Sequence, residues 1–296
     1  MTSFNAARSA AIPSSGSPLL TWAMDALGTS RPPRPTGSPR VWEVIQSDRR
    51  FFVKRCASRT AYQRETYAYR NVLRGLDAAC TPRLVASSER RLALIMTAVP
   101  GIPVSHARMP VTSRVDIYRR AGAVLAQLHA HQPSPHAWAT ARTSLTQAAD
   151  AAERLLDTGR PCLSEKEEEF ARQRVKHLRD AKPLLTGFIH GDPHEGNWIR
   201  SAGGPLALVD YANSRHASVV HDLVPLACRW IDLPLLRSSF YEGYGQRIST
   251  AERHMLVSLI TLRAVNRLTR GVFEGNEAHV RSGRRLLARM IKGTKI

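Results

Sequence analysis

Residues 187–210 read GFIHGDPHEGNWIRSAGGPLALVD, and this stretch decides the fold prediction. It contains two apolar runs, residues 198–200 and 206–209, separated by the pair Gly203-Gly204. Adjacent glycines between apolar runs favour a tight turn, so the pattern predicts an antiparallel hairpin. We expect the hairpin to bring Asn197 opposite Asp210.

Three oxygen-bearing side chains are expected to converge at this hairpin. An amide oxygen from Asn197 and a carboxylate from Asp210 would form a hard-oxygen site suited to Mg²⁺ shared with a triphosphate. Asp192 lies on the tight loop just before Asn197. A carboxylate at that place can accept the proton of an attacking alcohol during phosphoryl transfer. We therefore predict that Asp192 is a catalytic base, with Asn197 and Asp210 as metal ligands.

Upstream of this stretch the sequence predicts a small sheet with one main helix. This prediction rests on short apolar and β-branched runs, which are typical of strands, and on a polar stretch suited to a turn between the first two runs. A helical periodicity of apolar residues predicts the helix. The predicted strands cover residues 41–45, 51–54, 84–86 and 92–97, and the predicted helix covers residues 62–73.

Beyond the break at Pro100-Gly101-Ile102-Pro103, helical patterns dominate. A serine followed three residues later by an acidic residue predicts helix starts at Ser113, Ser164 and Ser249. The resulting division is a loose leader with one short helix over 1–36, an N-lobe over 37–98 and a C-lobe over 99–296.

The motif His190-Gly191-Asp192, with His194 and Gly196-Asn197, resembles the catalytic loop of the aminoglycoside phosphotransferase-like family. These are small-molecule kinases of the protein-kinase-like fold. The resemblance implies an α+β, two-lobed fold with a small antiparallel-sheet N-lobe and a larger, mostly helical C-lobe. It also implies that His190 braces the catalytic loop and that Asp222 is the buried aspartate that steadies it.

The same resemblance extends into the N-lobe and implies the nucleotide-binding residues. Lys54 corresponds to the lysine that contacts the α and β phosphates, and Glu65 to its ion-pair partner. Residues 94–99, with Met96 and Ala98, correspond to the connector that binds the nucleobase. Gly37 is the glycine available near residues 36–40 for a loop over the phosphates, and no G-x-G-x-x-G is present.

Some positions depart from the family pattern. Pro193 and Glu195 stand where Leu and Pro are expected. Asp210 is followed by Tyr211-Ala212 instead of the Phe-Gly of protein kinases, which is usual in the small-molecule branch.

Charge and composition limit the partners. Lys and Arg number 43 against 24 Asp and Glu, a formal charge of +19, yet the arginine pairs are scattered and aromatic residues make up only 6%. This distribution favours a solvated basic surface over a nucleic-acid interface, although it would also attract an anionic ligand. Four isolated cysteines, no run of about 18 apolar residues and no signal-peptide pattern predict a cytoplasmic protein without a membrane span.

The function implied by the resemblance is transfer of the γ-phosphoryl group of magnesium-bound ATP, or GTP, to a small-molecule hydroxyl. Acidic residues are sparse after Arg215, so a neutral or anionic acceptor is favoured, such as an antibiotic phosphorylated in resistance or producer self-protection. The alternatives are a metabolic sugar or amino-alcohol kinase, a non-catalytic kinase-like protein and a nucleic-acid-binding protein. Trp230, Tyr241 and Tyr244 are equally compatible with acceptor binding and with core packing, and the oligomeric state stays open.

Overall fold

The computed structural model describes residues 17–131, 143–181, 184–201 and 203–293. Two compact units are present. The first extends to Gly101 and also includes the short segment Val209–Asn213, so it contains Asp210. The second comprises Ile102–Leu208 and Ser214 onward. The domain boundaries derived from the sequence stay a prediction.

The first unit contains an antiparallel sheet in the order β1-β2-β3-β5-β4. Its strands are β1 (Arg34–Pro35), β2 (Val41–Gln46), β3 (Arg49–Arg55), β4 (Leu84–Ser88) and β5 (Ala93–Thr97). The predicted hairpin of β2 and β3 is confirmed, with Val41 paired to Lys54 and Gln46 to Arg49. Its turn is tight because Ser47 adopts a positive φ of 52°.

The described part of this unit, from residue 17 onward, contains two helices. The first, α1 (Pro18–Leu27), lies within the predicted leader and packs its apolar face against the sheet. The second, α2 (Arg59–Tyr67), begins three residues before the predicted start because Ser58 caps it by accepting the Ala61 N–H at 3.1 Å. A π turn (Ala68–Val72) and a 3-10 turn (Leu73–Gly75) continue α2.

Short strands support the loops of the second unit. They are β6 (Ile102–Pro103), β7 (Thr186–Ile189), β8 (Trp198–Arg200), β9 (Leu206–Leu208) and β10 (Arg215–Ser218). β7 pairs with β10, and β8 lies between β6 and β9.

The predicted hairpin of β8 and β9 is confirmed, but its predicted register is wrong by one residue. Trp198 pairs with Leu208, whereas a register that sets Asn197 opposite Asp210 would pair Trp198 with Val209. In the observed pairing the centre of the turn is Gly203, which takes a φ of +69°. The predicted pairing would instead place the centre of the turn between Gly203 and Gly204.

Helices form most of the second unit. They are α3 (Val111–His129), α4 (Ser144–Gly159), α5 (Glu165–Arg179), α6 (Val220–Trp230), α7 (Pro234–Tyr244), α8 (Thr250–Phe273) and α9 (Glu277–Ile291). The capping boxes predicted at Ser164 and Ser249 are present.

The start predicted for α3 at Ser113 is wrong. The helix begins at Val111 after Pro110, and Asp116 forms ion pairs with Arg119 at 2.6 Å and Arg120 at 2.7 Å instead of completing a capping box. The apolar face predicted for α3 is buried, as its periodicity requires. Within the described ranges, we find no helix that is both long and apolar enough to cross a bilayer.

Candidate active site

In the first unit, the structure brings together three of the predicted site residues. Lys54 extends from β3, and its Nζ donates to Glu65 Oε1 at 2.9 Å and to Asp210 Oδ1 at 2.7 Å. Glu65, on α2, is completely buried, whereas the Asp210 side chain is 48% exposed. One ammonium group therefore links a buried carboxylate to a solvent-facing one.

The charge of Lys54 is maintained by these two carboxylates. Burial alone would lower the pKa of a lysine, but the negative charges and hydrogen bonds of Glu65 and Asp210 outweigh it and raise the pKa of Lys54. Glu65 also accepts a main-chain hydrogen bond from Tyr211. Glu65 thus fixes both the lysine and the segment that carries Asp210.

Asp210 adopts an uncommon backbone conformation, with a φ of +67°. Few residues other than glycine tolerate this region, although aspartate is among those that do. The turn coincides with the Lys54 contact, and Ala212 N–H donates to the same Asp210 oxygen at 3.4 Å. The uncommon backbone conformation of Asp210 therefore occurs where its carboxylate is held by Lys54 and by the Ala212 N–H.

In the second unit, Asp222 organises the loop after β7. It is fully buried at the start of α6 and accepts the main-chain N–H groups of His190 and Gly191, each at 2.7 Å. Its other partner is the Nε2 of His129, at 3.0 Å. Burial alone would raise the pKa of Asp222. The hydrogen bonds from His129 and Gly191 and the charges of the nearby histidines lower this pKa by more than burial raises it, so the net pKa is lowered.

His129 was not among the sequence-derived site residues. It lies at the end of α3, where its Nδ1 is 2.7 Å from the hydroxyl of Tyr244 on α7. Because an ionised carboxylate only accepts, the Nε2 of His129 carries a proton and donates to Asp222. A single histidine on an apolar helix face gave no sequence signal for this role.

The loop itself holds Asp192 and Asn197 in a defined geometry. Asp192 N–H donates to His190 Nδ1 at 3.3 Å, and Asn197 Nδ2 donates to the Asp192 carbonyl oxygen at 3.0 Å. His194 accepts Gly196 N–H at its Nδ1, while its Nε2 lies 3.6 Å from Asp192 Oδ2. The Asp192 carboxylate is 38% exposed, so a small molecule could reach it.

Glu195, a departure from the family pattern, is a buried anchor of this loop. It accepts Arg114 at 3.0 Å and the Tyr118 hydroxyl at 3.2 Å, both from α3. Burial, with the adjacent Glu195 charge, raises the pKa of Tyr118. A proline at position 195 could not make these contacts.

The remaining predicted nucleotide-binding residues are all in the first unit. Gly37 is exposed in the connection between β1 and β2, and an added Cβ there would meet nothing within 4 Å. Met96 is buried in β5 opposite Phe52. The N–H of Ala98 already donates to the Arg50 carbonyl oxygen at 3.0 Å. A nucleobase would therefore need another main-chain atom of this segment.

The aromatic residues left open by the sequence pack together. Trp230 and Tyr244 are buried, with Tyr241 half-buried and 5.4 Å from Trp230 between ring centroids. The Tyr244 hydroxyl is engaged with His129. Trp230 and Tyr244 therefore contribute to the core.

The donor chemistry is compatible with magnesium. In the first unit Asp210 presents a half-exposed carboxylate, and in the second unit Asn197 donates through its amide nitrogen to the Asp192 carbonyl. Carboxylate and amide oxygens are the donor types that Mg²⁺ prefers. Across the described ranges, no group of three or more His, Cys, Asp or Glu side chains is arranged to hold a metal.

Comparison with known proteins identifies similar sequences and folds. The model of the phosphotransferase enzyme family matches residues 30–256. Among solved structures, the GDP and kanamycin complex of APH(2")-IIia superposes with a TM-score of 0.68 at 15% identity, covering 93% of this chain and 98% of that chain. No curated protein sequence matches significantly.

Two further solved structures are similar. The apo form of a thermostable mutant of aminoglycoside phosphotransferase APH(4)-Ia has a TM-score of 0.63 at 12% identity, over 93% of this chain and 98% of that one. The gentamicin complex of APH(2")-IIa has a TM-score of 0.63 at 14% identity, over 91% and 94%. These likenesses confirm the predicted α+β, protein-kinase-like fold.

Proposed function

The chain belongs to the phosphotransferase enzyme family, and on that premise we propose that it transfers the γ-phosphoryl group of ATP to a small-molecule hydroxyl. The observation that carries this proposal is the contact of Lys54 with both Glu65 and Asp210. A charged lysine between a buried and an exposed carboxylate is suited to binding phosphate oxygens. The printed descriptions of similar structures name complexes with GDP, ADP and AMP-PNP, which supports a nucleotide donor.

Each predicted residue then has a defined task. Lys54 binds the α and β phosphates, Glu65 holds Lys54 in position, and residues 94–99 contact the base. Asn197 and Asp210 would hold Mg²⁺, which would neutralise charge on the triphosphate oxygens. His190 and Asp222 hold the loop that carries Asp192.

Asp192 acts as the catalytic base. Its carboxylate accepts the hydroxyl proton as the acceptor oxygen bonds to the γ-phosphorus, and the bond from that phosphorus to the β–γ bridging oxygen breaks to release ADP. The main-chain contacts of Asp192 with His190 and Asn197 support this role because they limit movement of the loop.

We propose an antibiotic as the acceptor and resistance or producer self-protection as the biological role. Support comes from the similar structures described with kanamycin, gentamicin and hygromycin B. We also propose a cytoplasmic location, where ATP is available. The free thiols of Cys56, Cys80, Cys162 and Cys228 fit a reducing compartment.

An acceptor screen tests this function. Purified protein is incubated with Mg²⁺ and either ATP or GTP, together with cationic, neutral and anionic hydroxyl compounds that include antibiotics and sugars. We expect ATP-dependent addition of one phosphoryl group, detected by mass, to a neutral or anionic antibiotic. Absence of both product and ADP formation across the panel would contradict the proposed function. Turnover of sugars alone would instead indicate a metabolic kinase.

A further inference from the structure

A basic cavity adjoins the loop that carries Asp192. Its volume is about 620 Å³, within the range of small-molecule sites, and its wall includes His194, Glu195 and Gly196. We call it the arginine cavity because five guanidinium groups from three helices line it: Arg229 on α6, Arg263 and Arg267 on α8, and Arg285 and Arg289 on α9.

The arginines are arranged in two rows. Arg263 and Arg267 are four residues apart on α8, as are Arg285 and Arg289 on α9, so each pair occupies one helix face. The two helices pack closely near the rows, since a Cβ added to Gly283 would lie 2.7 Å from Leu268 N. Like charges at this spacing destabilise a helix.

The acidic residues of the cavity are already engaged. Glu195 is held by Arg114 and Tyr118, and Asp232 pairs with Arg289. Arg229 approaches Glu195 only at 3.9 Å. In the part of the chain that the structure describes, no ion pair involves Arg263, Arg267 or Arg285. The cavity therefore keeps an excess of positive charge.

The surroundings of Cys228 indicate where the charges of Arg263 and Arg267 lie. Cys228 lies on α6 and lines the same cavity. Burial raises the pKa of its thiol, and the guanidinium groups of Arg263 and Arg267 act in the opposite direction. Both arginines of α8 are therefore close enough to act electrostatically on the cavity wall formed by α6.

We propose that the arginine cavity binds the acceptor, and that this acceptor is an alcohol that also carries a phosphate or carboxylate group. The inference rests on the proposed phosphotransferase function and narrows its substrate class. Guanidinium groups bind both anions through paired, charge-assisted hydrogen bonds. A polycationic acceptor would be repelled, and a neutral one would leave the arginine charges without a counterion.

A matched pair of double variants tests the cavity. Arg267→Gln/Arg285→Gln removes one lining arginine from α8 and one from α9. The control Arg270→Gln/Arg281→Gln removes the same charge from the same helices, at arginines outside the lining that pair with Glu274 at 2.9 Å and Glu277 at 2.8 Å. Such exposed pairs contribute little to stability, so both variants are expected to fold.

The first readout is anion binding at equilibrium. With ADP and Mg²⁺ at saturation, inorganic phosphate and acetate are titrated while the unfolding temperature is recorded. We expect the wild type and the control to be stabilised, whereas the cavity variant requires at least about tenfold more anion. Equal responses of the three proteins, or none from the wild type, would overturn the inference. The stronger of the two probes indicates whether the acceptor carries phosphate or carboxylate.

The second readout is turnover of an acceptor found by the screen. In the cavity variant, KM for that acceptor should rise at least about tenfold with kcat nearly unchanged, because the arginines bind without taking part in proton transfer. An unchanged KM, or preference for a cationic acceptor, would overturn the inference and leave the proposed function intact. Absence of stabilisation by ADP and Mg²⁺ would instead count against the proposed function.

Discussion

At the scale of single residues, one buried carboxylate determines the geometry of the candidate catalytic loop. Asp222 accepts two main-chain N–H groups from the loop and is held in turn by His129. Removing one partner from a buried charged network leaves the others without compensation, which is typically more costly than losing a surface contact. Asp222 therefore couples loop geometry to stability.

This coupling gives a pH-dependent prediction for Asp222→Asn. Since the folded-state pKa of Asp222 is lowered, its stabilising contribution is present above the unfolded pKa, about 3.9, and is lost as the pH falls through the folded value. We expect the variant to lose about 3–5 kcal/mol of unfolding free energy at about pH 7. Below about pH 4 the difference from the wild type should shrink.

Urea unfolding across this pH range measures the effect. The control is Asp116→Asn, the same change at a partly exposed aspartate that pairs with Arg119 and Arg120 on α3. If the unfolding free energy of Asp222→Asn stays below that of the wild type by the same amount from neutral to acidic pH, the result would contradict an ionised Asp222 in the folded protein.

The candidate site was only partly predictable because some of its residues are close together in the sequence and others are far apart. Asp192, Asn197 and Asp210 fall within one short motif, so local sequence was sufficient to propose them. His129 is 93 positions from Asp222, and the register of β8 and β9 depends on which residue lies at the centre of the turn. Such details depend on tertiary contacts that a single sequence does not reveal.

At the scale of elements, a close helix contact supports the same loop. The backbones of α3 and α7 approach at two glycines: a Cβ added to Gly122 would overlap the Phe240 carbonyl oxygen, and one added to Gly243 would overlap that of Arg119. The contact also brings Tyr244 of α7 to His129 of α3. The spacing of the two helices therefore affects the partner of Asp222.

Accordingly, Gly122→Ala should separate α3 from α7. We expect a loss of about 1–3 kcal/mol in unfolding free energy, because the obstructing atoms are main-chain and cannot rotate away. The matched control is Gly75→Ala, since a Cβ at Gly75 meets nothing within 4 Å and should change stability little. Chemical denaturation of both variants and the wild type measures these changes in unfolding free energy. Equal stability would show that the contact is looser than described.

The elements themselves followed local signals closely. The capping boxes of α5 and α8 and the hairpin of β2 and β3 were predictable because each depends on neighbouring residues. Two features were not: the start of α3, where Asp116 takes part in ion pairs, and the pairing of β7 with β10 across an intervening hairpin. In both cases the decisive partner is determined by folding and not by adjacent sequence.

At the scale of the whole molecule, part of the excess positive charge lies in one cavity. The five arginines of the cavity are spread over residues 229–289, and each resembles a solvated surface residue in the sequence. Only the packing of α6, α8 and α9 brings them to one wall. Total charge therefore suggested an anionic ligand from the sequence alone, whereas the cavity proposed for that ligand could be found only from the fold.

We propose above that the chain catalyses phosphoryl transfer with Asp192 as the base. The most direct measurement is single-turnover transfer from ATP to a screened acceptor by wild type, Asp192→Asn and the control Asp116→Asn, with ADP affinity measured alongside. We predict a rate about 10²–10⁴-fold lower for Asp192→Asn, with ADP affinity unchanged and the control like wild type. Transfer by Asp192→Asn at the wild-type rate would contradict the account.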